Sequence, residues 1–271
     1  MKMELGLSTY TFPWNIGIES AGSQNTMQLE ELISYTAAQN ICHLQIGDNY
    51  PLHLLSESRL LTAKQLAYEN NVQLQVGTRG LKKQNILEYL EIASFLGSPF
   101  LRVVIDDHDF HPDEKEVVSI IRELLPFLQK NRVVLAIENH DRFTAAALRK
   151  IILETSEAYV AICLDTSNSL GAGEGIQEVL KTLLPYTVNL HIKDFNIKRV
   201  PHKMGFTVSG AIAGTGMLNI PKLLQQCSSQ EKCRTATLEI WMDPDNNIEQ
   251  TMSREKDWVT QSINYLKKYI Q

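Results

Sequence analysis

The chain lacks an excess of positive charge, a long apolar run and a cysteine pair, and each absence removes a class of function. Lysine and arginine together number 26 against 31 aspartates and glutamates, a formal net charge of −5 at pH 7. A nucleic-acid binder needs a basic face for the phosphates, so nucleic acid is not an expected partner. No apolar stretch approaches the roughly 20 residues of a membrane span, and MKMELGLSTYTF lacks the basic and apolar regions of a secretory leader. A cytoplasmic location without membrane partners is the expectation. The four cysteines, Cys42, Cys163, Cys227 and Cys233, form no CxxC pair. Cys42 and Cys163 fall in apolar runs, where a free thiol behaves as a small hydrophobe. Cys227 and Cys233 could be bridged across a loop, but nothing requires it, and a reduced compartment suits this usage. There is no Gly/Ser-rich or Pro-rich linker either, so one domain spanning 1–271 is expected.

What is present is alternation. Apolar, β-branched runs occur at 4–9, 41–46, 72–77, 100–105, 133–138, 160–165, 188–193 and 235–241. Between them, apolar residues recur at three- and four-residue spacing, the mark of amphipathic helices. Val117, Ile120, Ile121, Leu124, Leu125 and Leu128 make the clearest stripe; Leu29, Leu32 and Ile33 make another, with Thr26 as the expected N-cap. Val259, Ile263, Leu266 and Ile270 mark a last helix. Eight strands alternating with eight helices in 271 residues predict a (β/α)8 TIM barrel, an α/β fold of about 250 residues.

Four of the late runs carry metal-ligand residue types near their C-terminal ends: Glu138 in RVVLAIENHD, Asp165 in YVAICLDTSN, His191 in VNLHIKDFN and Glu239 in TATLEIWMD. They stand 27, 26 and 48 residues apart, two near one barrel repeat each and the third a repeat with a long loop. A parallel barrel delivers such residues to one end of one cavity. Three carboxylates and an imidazole suit a divalent cation, Mn²⁺ first, with Mg²⁺, Co²⁺ or Zn²⁺ as alternatives. Side chains alternate along a strand. Ala136 therefore shares a face with Glu138, Cys163 with Asp165, Asn189 and Lys193 with His191, and Thr237 with Glu239. Earlier strands place His43 with Gln45, Gln73 with Gln75, and Arg102 with Asp106 on that side. Such a polar inner face predicts a wet cavity at the barrel mouth.

At these residues the sequence resembles the xylose isomerase-like sugar phosphate isomerase/epimerase superfamily. Its members include ketose 3-epimerases, hydroxypyruvate isomerase, inosose-processing enzymes and, more distantly, endonuclease IV. The resemblance covers almost the whole chain. It rests on IEN at Glu138, LDT at Asp165, HIKD from His191 to Asp194, AGTG from Ala213 to Gly216, and LEIW at Glu239. It implies that Glu138, Asp165, His191 and Glu239 hold one metal ion and that Glu138 and Glu239 are the acid/base pair. The chain departs from the pattern at Asn168, where many epimerases of the family carry a histidine three residues after the Asp ligand. An asparagine there can bond a substrate hydroxyl but carries no proton at neutral pH. Endonuclease IV chemistry needs a trinuclear zinc site with more histidines than the seven here supply. A non-catalytic sugar-binding barrel would not need two glutamates over one substrate.

The leading expectation is a divalent-metal-dependent isomerase or epimerase of a small ketose or sugar derivative, working through a metal-stabilised enediolate. The alternative is a metal-dependent decarboxylase of a 3-oxo sugar acid, suggested by the long basic stretch after the seventh strand, with Lys198, Arg199, His202 and Lys203. Cations near a metal suit a carboxylated or phosphorylated substrate. The AGTG turn either offers amides to a phosphate or simply turns the chain before the helix near Ile220.

Further substrate-binding candidates are Arg102, His140, Asn168, Lys193, Arg199 and His202. Against these stand internal pairing for Arg102 (with Asp106 or a ligand carboxylate) and for Lys193 (with Glu138 or Asp165), and an exposed loop position for His140. Asp194 is expected to orient the loop that follows it. Asp106, Asp107, His108, Asp109 and His111 read as a solvated acidic loop. Phe12, Trp14 and Phe206 are either walls over a sugar or ordinary rim packing. Family members commonly form homodimers or homotetramers, so self-association is an open expectation.

Overall fold

The computed structural model describes residues 3–18 and 26–270; residues 1–2, 19–25 and 271 of the expected 1–271 domain lie outside the described residues. Eight parallel strands close into a barrel: β1 (Glu4–Ser8), β2 (His43–Ile46), β3 (Gln73–Arg79), β4 (Phe100–Val104), β5 (Val134–Glu138), β6 (Val160–Asp165), β7 (Thr187–Ile192) and β10 (Thr235–Leu238). Each pairs with its chain neighbours, and β10 closes the ring between β7 and β1. The eight runs read from the sequence are these eight strands.

The helices between them bury the expected stripes. The clearest is α5 (Glu114–Asn131), where Asp113 caps the N-terminus with Glu116 bonding back and Val117, Ile121, Leu124 and Leu128 are buried. In α9 (Ile248–Leu266), Val259, Ile263 and Leu266 are buried. In α2 (Leu29–Ala38) the cap is Gln28, whose amide donates to Glu31, and not Thr26. The Thr26 hydroxyl and amide are both taken by the carbonyl of Asn15, which pins the incoming chain instead of starting the helix.

Strand residues such as Leu44, Val76 and Leu164 pack outward against the helices in one large hydrophobic core. The barrel interior is different. Apart from a small plug of Phe100, Ala136 and Cys163, it carries the polar residues that alternation predicted. The Gln45 amide nitrogen donates to Asn189 Oδ1 at 3.2 Å and Gln75 Oε1 at 3.4 Å, and Asn189 donates to Thr235 and Thr237 hydroxyls. Buried amides and hydroxyls are tolerated only when they bond one another in this way. Gln73, by contrast, is exposed at the start of β3.

Two expectations are corrected. The basic stretch after β7 is no simple loop: β8 (Phe195–Arg199) and β9 (Phe206–Gly210) form an antiparallel hairpin. Cys42 precedes β2 and is exposed, so it does not act as a core hydrophobe; Cys227 and Cys233 are buried and unbridged. Among the described residues, no helix is long and apolar enough to cross a membrane.

Candidate metal centre at the barrel mouth

Strand direction alone brings the four predicted ligands together. Glu138 and Asp165 are the last residues of β5 and β6, His191 sits opposite Asp165 in β7, and Glu239 follows β10 with its amide bonded to Ile192. All four are buried. Ligand atoms of Asp165, His191 and Glu239 lie within 4.8 Å of one another, and so do those of Glu138, Cys163 and His191.

The imidazole is the centre of the arrangement. His191 Nε2 lies 2.8 Å from Gln45 Oε1 and 3.1 Å from Cys163 Sγ. Gln45 spends its amide hydrogens on Asn189 and Gln75, so its oxygen faces the ring and accepts a hydrogen bond from Nε2–H. That leaves a lone pair on Nδ1, which is buried without a hydrogen bond. It lies 3.5 Å from Glu138 Oε2 and 3.3 Å from Glu239 Oε1. A lone pair turned toward two carboxylate oxygens in a dry site is repulsive unless a cation sits among them. The donor set of one nitrogen and carboxylate oxygens fits a divalent ion, and the bond to Gln45 is the outer support such a histidine ligand requires.

Each carboxylate is held in turn. Asp165 Oδ1 accepts from the Ser167 amide and hydroxyl and from the Asn168 amide. Lys193 Nζ bridges Asp165 Oδ2 at 2.9 Å and Glu239 Oε2 at 3.0 Å. Ser8 donates to Glu239 Oε1 at 3.3 Å. Glu138 Oε2 accepts from Arg102 Nε, and Oε1 accepts from Asn168 Nδ2 at 2.7 Å. Arg102 also binds Asp48 Oδ1 at 2.6 Å, and Asp48 Oδ2 binds Arg79 Nε at 2.9 Å and the Tyr10 hydroxyl at 3.1 Å. Opposite charges therefore alternate along one continuous string, Arg79, Asp48, Arg102 and Glu138.

The electrostatics follow this pairing. Burial alone would push Glu138, Asp165 and Asp48 upward, but the cations outweigh it and all three lie below the ordinary carboxylate range: Arg102 acts on Glu138, Lys193 on Asp165, and Arg102 with Arg79 on Asp48. Burial disfavours the Lys193 charge, yet Asp165 and Glu239 push its pKa well up, so it stays an ammonium. Burial, then Glu138, raises Cys163, which keeps a neutral thiol. Two fixed cations already offset part of the charge of the three carboxylates, so the site is far less anionic than the ligands alone would make it.

The structure thus gathers Glu138, Asp165, His191, Glu239, Arg102, Asn168 and Lys193. Arg102 pairs with Glu138 and Asp48 and not with Asp106, which binds Arg142 instead. Three candidates stand apart. His140 pairs with Asp141 at 2.8 Å. Arg199 stacks on Phe206 and donates to the Lys203 carbonyl, and His202 accepts from the Met204 amide, both on the exposed hairpin. Phe12 packs edge-on against Tyr35 in the core, and Trp14 is buried, so neither is a wall over a sugar.

The AGTG turn is filled from within. Asp194 accepts from the amides of Gly214 and Gly216 on Oδ2 and from Phe195 and Leu218 on Oδ1, while Ala213 and Thr215 donate to Ser262 and Ile212. Gly214 has φ +86°, and a Cβ on Gly216 would collide with Asp194. The turn serves the loop, as expected of Asp194, and offers no amide to a phosphate.

Sequence reasoning missed Asp48 and Asn139. Asp48 follows β2 by two residues, and the strand-end rule that found the ligands extends to it. Asn139, within IEN, exchanges two bonds with the Asp165 backbone and so staples β5 to β6. The other end of the barrel opens into a cavity of about 360 Å³ lined by Glu4, His43, Gln75 and Arg234 among others. It lies at the strand starts, the end of such a barrel opposite to the one that carries active sites.

Comparison with known proteins agrees with this geometry. The family model described as a xylose isomerase-like TIM barrel matches residues 77–269. The chain belongs to the xylose isomerase-like TIM barrel family. Within it, a 3-oxo-isoapionate decarboxylase from Pectobacterium atrosepticum is 31% identical over 97% of this chain and 95% of its own length. An uncharacterized protein of Escherichia coli, YihM, is 23% identical over 82% of this chain and 67% of its own. A solved D-psicose 3-epimerase from Clostridium cellulolyticum superposes with a TM-score of 0.74 at 16% identity, over 98% of both chains. A family protein from Mycobacterium smegmatis in complex with magnesium gives 0.69 at 12% identity, over 97% of this chain and 98% of its own. At such identities the structural likeness concerns the fold.

Proposed function

We propose that this chain is a divalent-metal-dependent enzyme that removes CO₂ from a 3-oxo sugar acid, a small carbohydrate carrying a carboxylate. The observation that carries this choice is the state of Glu138. Both of its oxygens are engaged, by Arg102 and by Asn168. Epimerisation and isomerisation need a free base to remove a carbon-bound proton. Decarboxylation needs none: the bond between the carboxyl carbon and C2 breaks, its electron pair moves toward the C3 oxygen, and a single proton then enters at C2. The net change is 3-oxo carboxylate plus one proton to ketone plus CO₂. The 31% identical relative, named as a decarboxylase of a 3-oxo acid, supports the same choice.

In this reading His191, Glu138, Asp165 and Glu239 hold the ion, with Mn²⁺ or Mg²⁺ suited to the oxygen-rich set. When bound, the ion supplies positive charge beside the oxygen on which the electron pair gathers. Gln45 keeps the His191 proton on Nε2 so that Nδ1 stays available. Arg102 and Asn168 hold Glu138 in one rotamer, deprotonated. Glu239 is the less tightly held glutamate, with only the long Ser8 bond on Oε1. It relays one proton from solvent to C2, while Lys193 Nζ, 3.0 Å from its other oxygen, keeps its own proton and charge.

The second reading, an epimerase or isomerase of a ketose, has its own observation. Glu138 and Glu239 flank His191 Nδ1 from different strands, a placement suited to two proton transfers on one substrate. Incubating Mn²⁺-loaded protein with 3-oxo sugar acids and ketoses in D₂O separates the two. Gas release with one deuterium at C2 is the expected result. Deuterium exchange beside a carbonyl without CO₂ would replace the decarboxylase with the epimerase.

A further inference from the structure

The cavity at the strand starts is walled by the first residues of several strands: His43 opens β2, Phe100 opens β4 and Val134 opens β5. Its volume of about 360 Å³ falls in the range of small-molecule sites. The lining is sorted by depth. His43 and Phe100 are buried, Val134 and Val188 are half-buried, and Lys232 and Arg234 are exposed at the rim. The floor is incomplete at His43, whose side chain is only 8% exposed. Its Nε2 lies 2.7 Å from Glu4 Oε2, so the ring proton sits on Nε2. Nδ1 keeps a lone pair, buried and without a hydrogen-bond partner. A buried acceptor in that state costs free energy until a donor reaches it.

The rim has the opposite need. Lys232 Nζ reaches the Glu157 carbonyl at 3.4 Å, and among the described residues neither Lys232 nor Arg234 enters an ion pair. Glu157 and Glu231 lie on an adjoining groove that both cations also line, yet pair with neither. Glu4, the one carboxylate lining the cavity among the described residues, is already held by His43. We propose that this cavity is a binding site for a small hydroxy acid, separate from the metal centre. The hydroxyl donates to His43 Nδ1, the carbon body lies against Phe100, Val134 and Val188, and the carboxylate meets Arg234 and Lys232. A neutral alcohol would leave the cations unmatched, and a carboxylate without a hydroxyl would leave Nδ1 bare.

Titration calorimetry of the full, Mn²⁺-loaded chain tests this with 4-hydroxybenzoate, which carries its hydroxyl and carboxylate at opposite ends of a flat apolar body. Saturable binding is expected, with benzoate about tenfold weaker for want of the hydroxyl. His43→Leu should bring 4-hydroxybenzoate down to the benzoate level and leave benzoate itself unchanged. Arg234→Met should weaken both acids roughly fivefold or more. Circular dichroism melting at the wild-type temperature shows that a variant is folded. Arg234 is exposed, so its variant keeps the test alive should His43→Leu fail to fold. No saturable binding by the wild type below about 10 mM overturns the proposal. Binding that neither variant alters puts the probe elsewhere, at the metal centre or on the surface, and overturns it too.

Discussion

The two halves of the barrel do different work at the mouth. Strands β5, β6, β7 and β10 supply the candidate ligands Glu138, Asp165, His191 and Glu239. The region from β2 to β4 supplies groups that hold two of them, Gln45 on His191 and Arg102 with Asp48 on Glu138, while Lys193 and Asn168 hold from the ligand side. The ligands are short-range facts of chain direction, each a polar residue at the end of its own strand. Of these holders, Gln45 reaches His191 from a strand 146 residues away in sequence, and Arg102 reaches Glu138 from the neighbouring strand β4. A site of this kind is made as much by what fixes the rotamers as by what meets the ion.

Variants on each side test how real that division is. The largest effect belongs to the ligand side: Glu239→Gln is expected to cost turnover roughly a thousandfold or more while the protein stays folded. A near-normal rate of CO₂ release would remove Glu239 from the chemistry. On the holder side, Arg102→Met leaves buried Glu138 without its arginine and Asp48 with Arg79 alone. The expected loss is about 3–5 kcal/mol of stability, read as a lower midpoint in urea. If the Asp48→Asn, Arg102→Met double variant is no better than the single one, the string of alternating charges is not the reason. Gln45→Leu should keep the fold but lower metal affinity roughly 10- to 100-fold, measured by chelator competition; unchanged affinity would make the amide mere packing. The smallest effect is expected of Cys163→Ser. A neutral thiol beside Nε2 is no ligand in this scheme, so metal affinity should stay within about threefold, and a large drop would move Cys163 into the ligand set.

The same division explains what the sequence disclosed. All eight barrel strands, and the gathering of Glu138, Asp165, His191 and Glu239 at one mouth, were readable, because β-branched runs mark strands and parallel strands share one exit. Which charge meets which was not readable. Arg102 and Asp106 share a strand face by alternation, yet Arg102 turns across the barrel to Asp48 and Asp106 turns out to Arg142. The hairpin was hidden because FNIKR and FTVSG are short, exposed and only half apolar, so a basic loop and a ribbon look alike in one dimension. The period of two in Ile197, Arg199, Phe206 and Val208 was present, but only pairing makes it a face. Thr26 illustrates the remaining kind of miss: a good capping residue was claimed by the Asn15 carbonyl three residues before the helix began.

Asp194 has a consequence for substrate choice. It occupies the cradle of backbone amides at the AGTG turn with a carboxylate that belongs to the chain itself. A tethered anion of this kind faces any diffusing competitor at an enormous effective concentration, so dissolved phosphate cannot evict it. The seat that would welcome a phosphorylated sugar at this turn is permanently taken. At this turn the chain thereby turns a phosphate away by pre-emption, with no gate and no clash required.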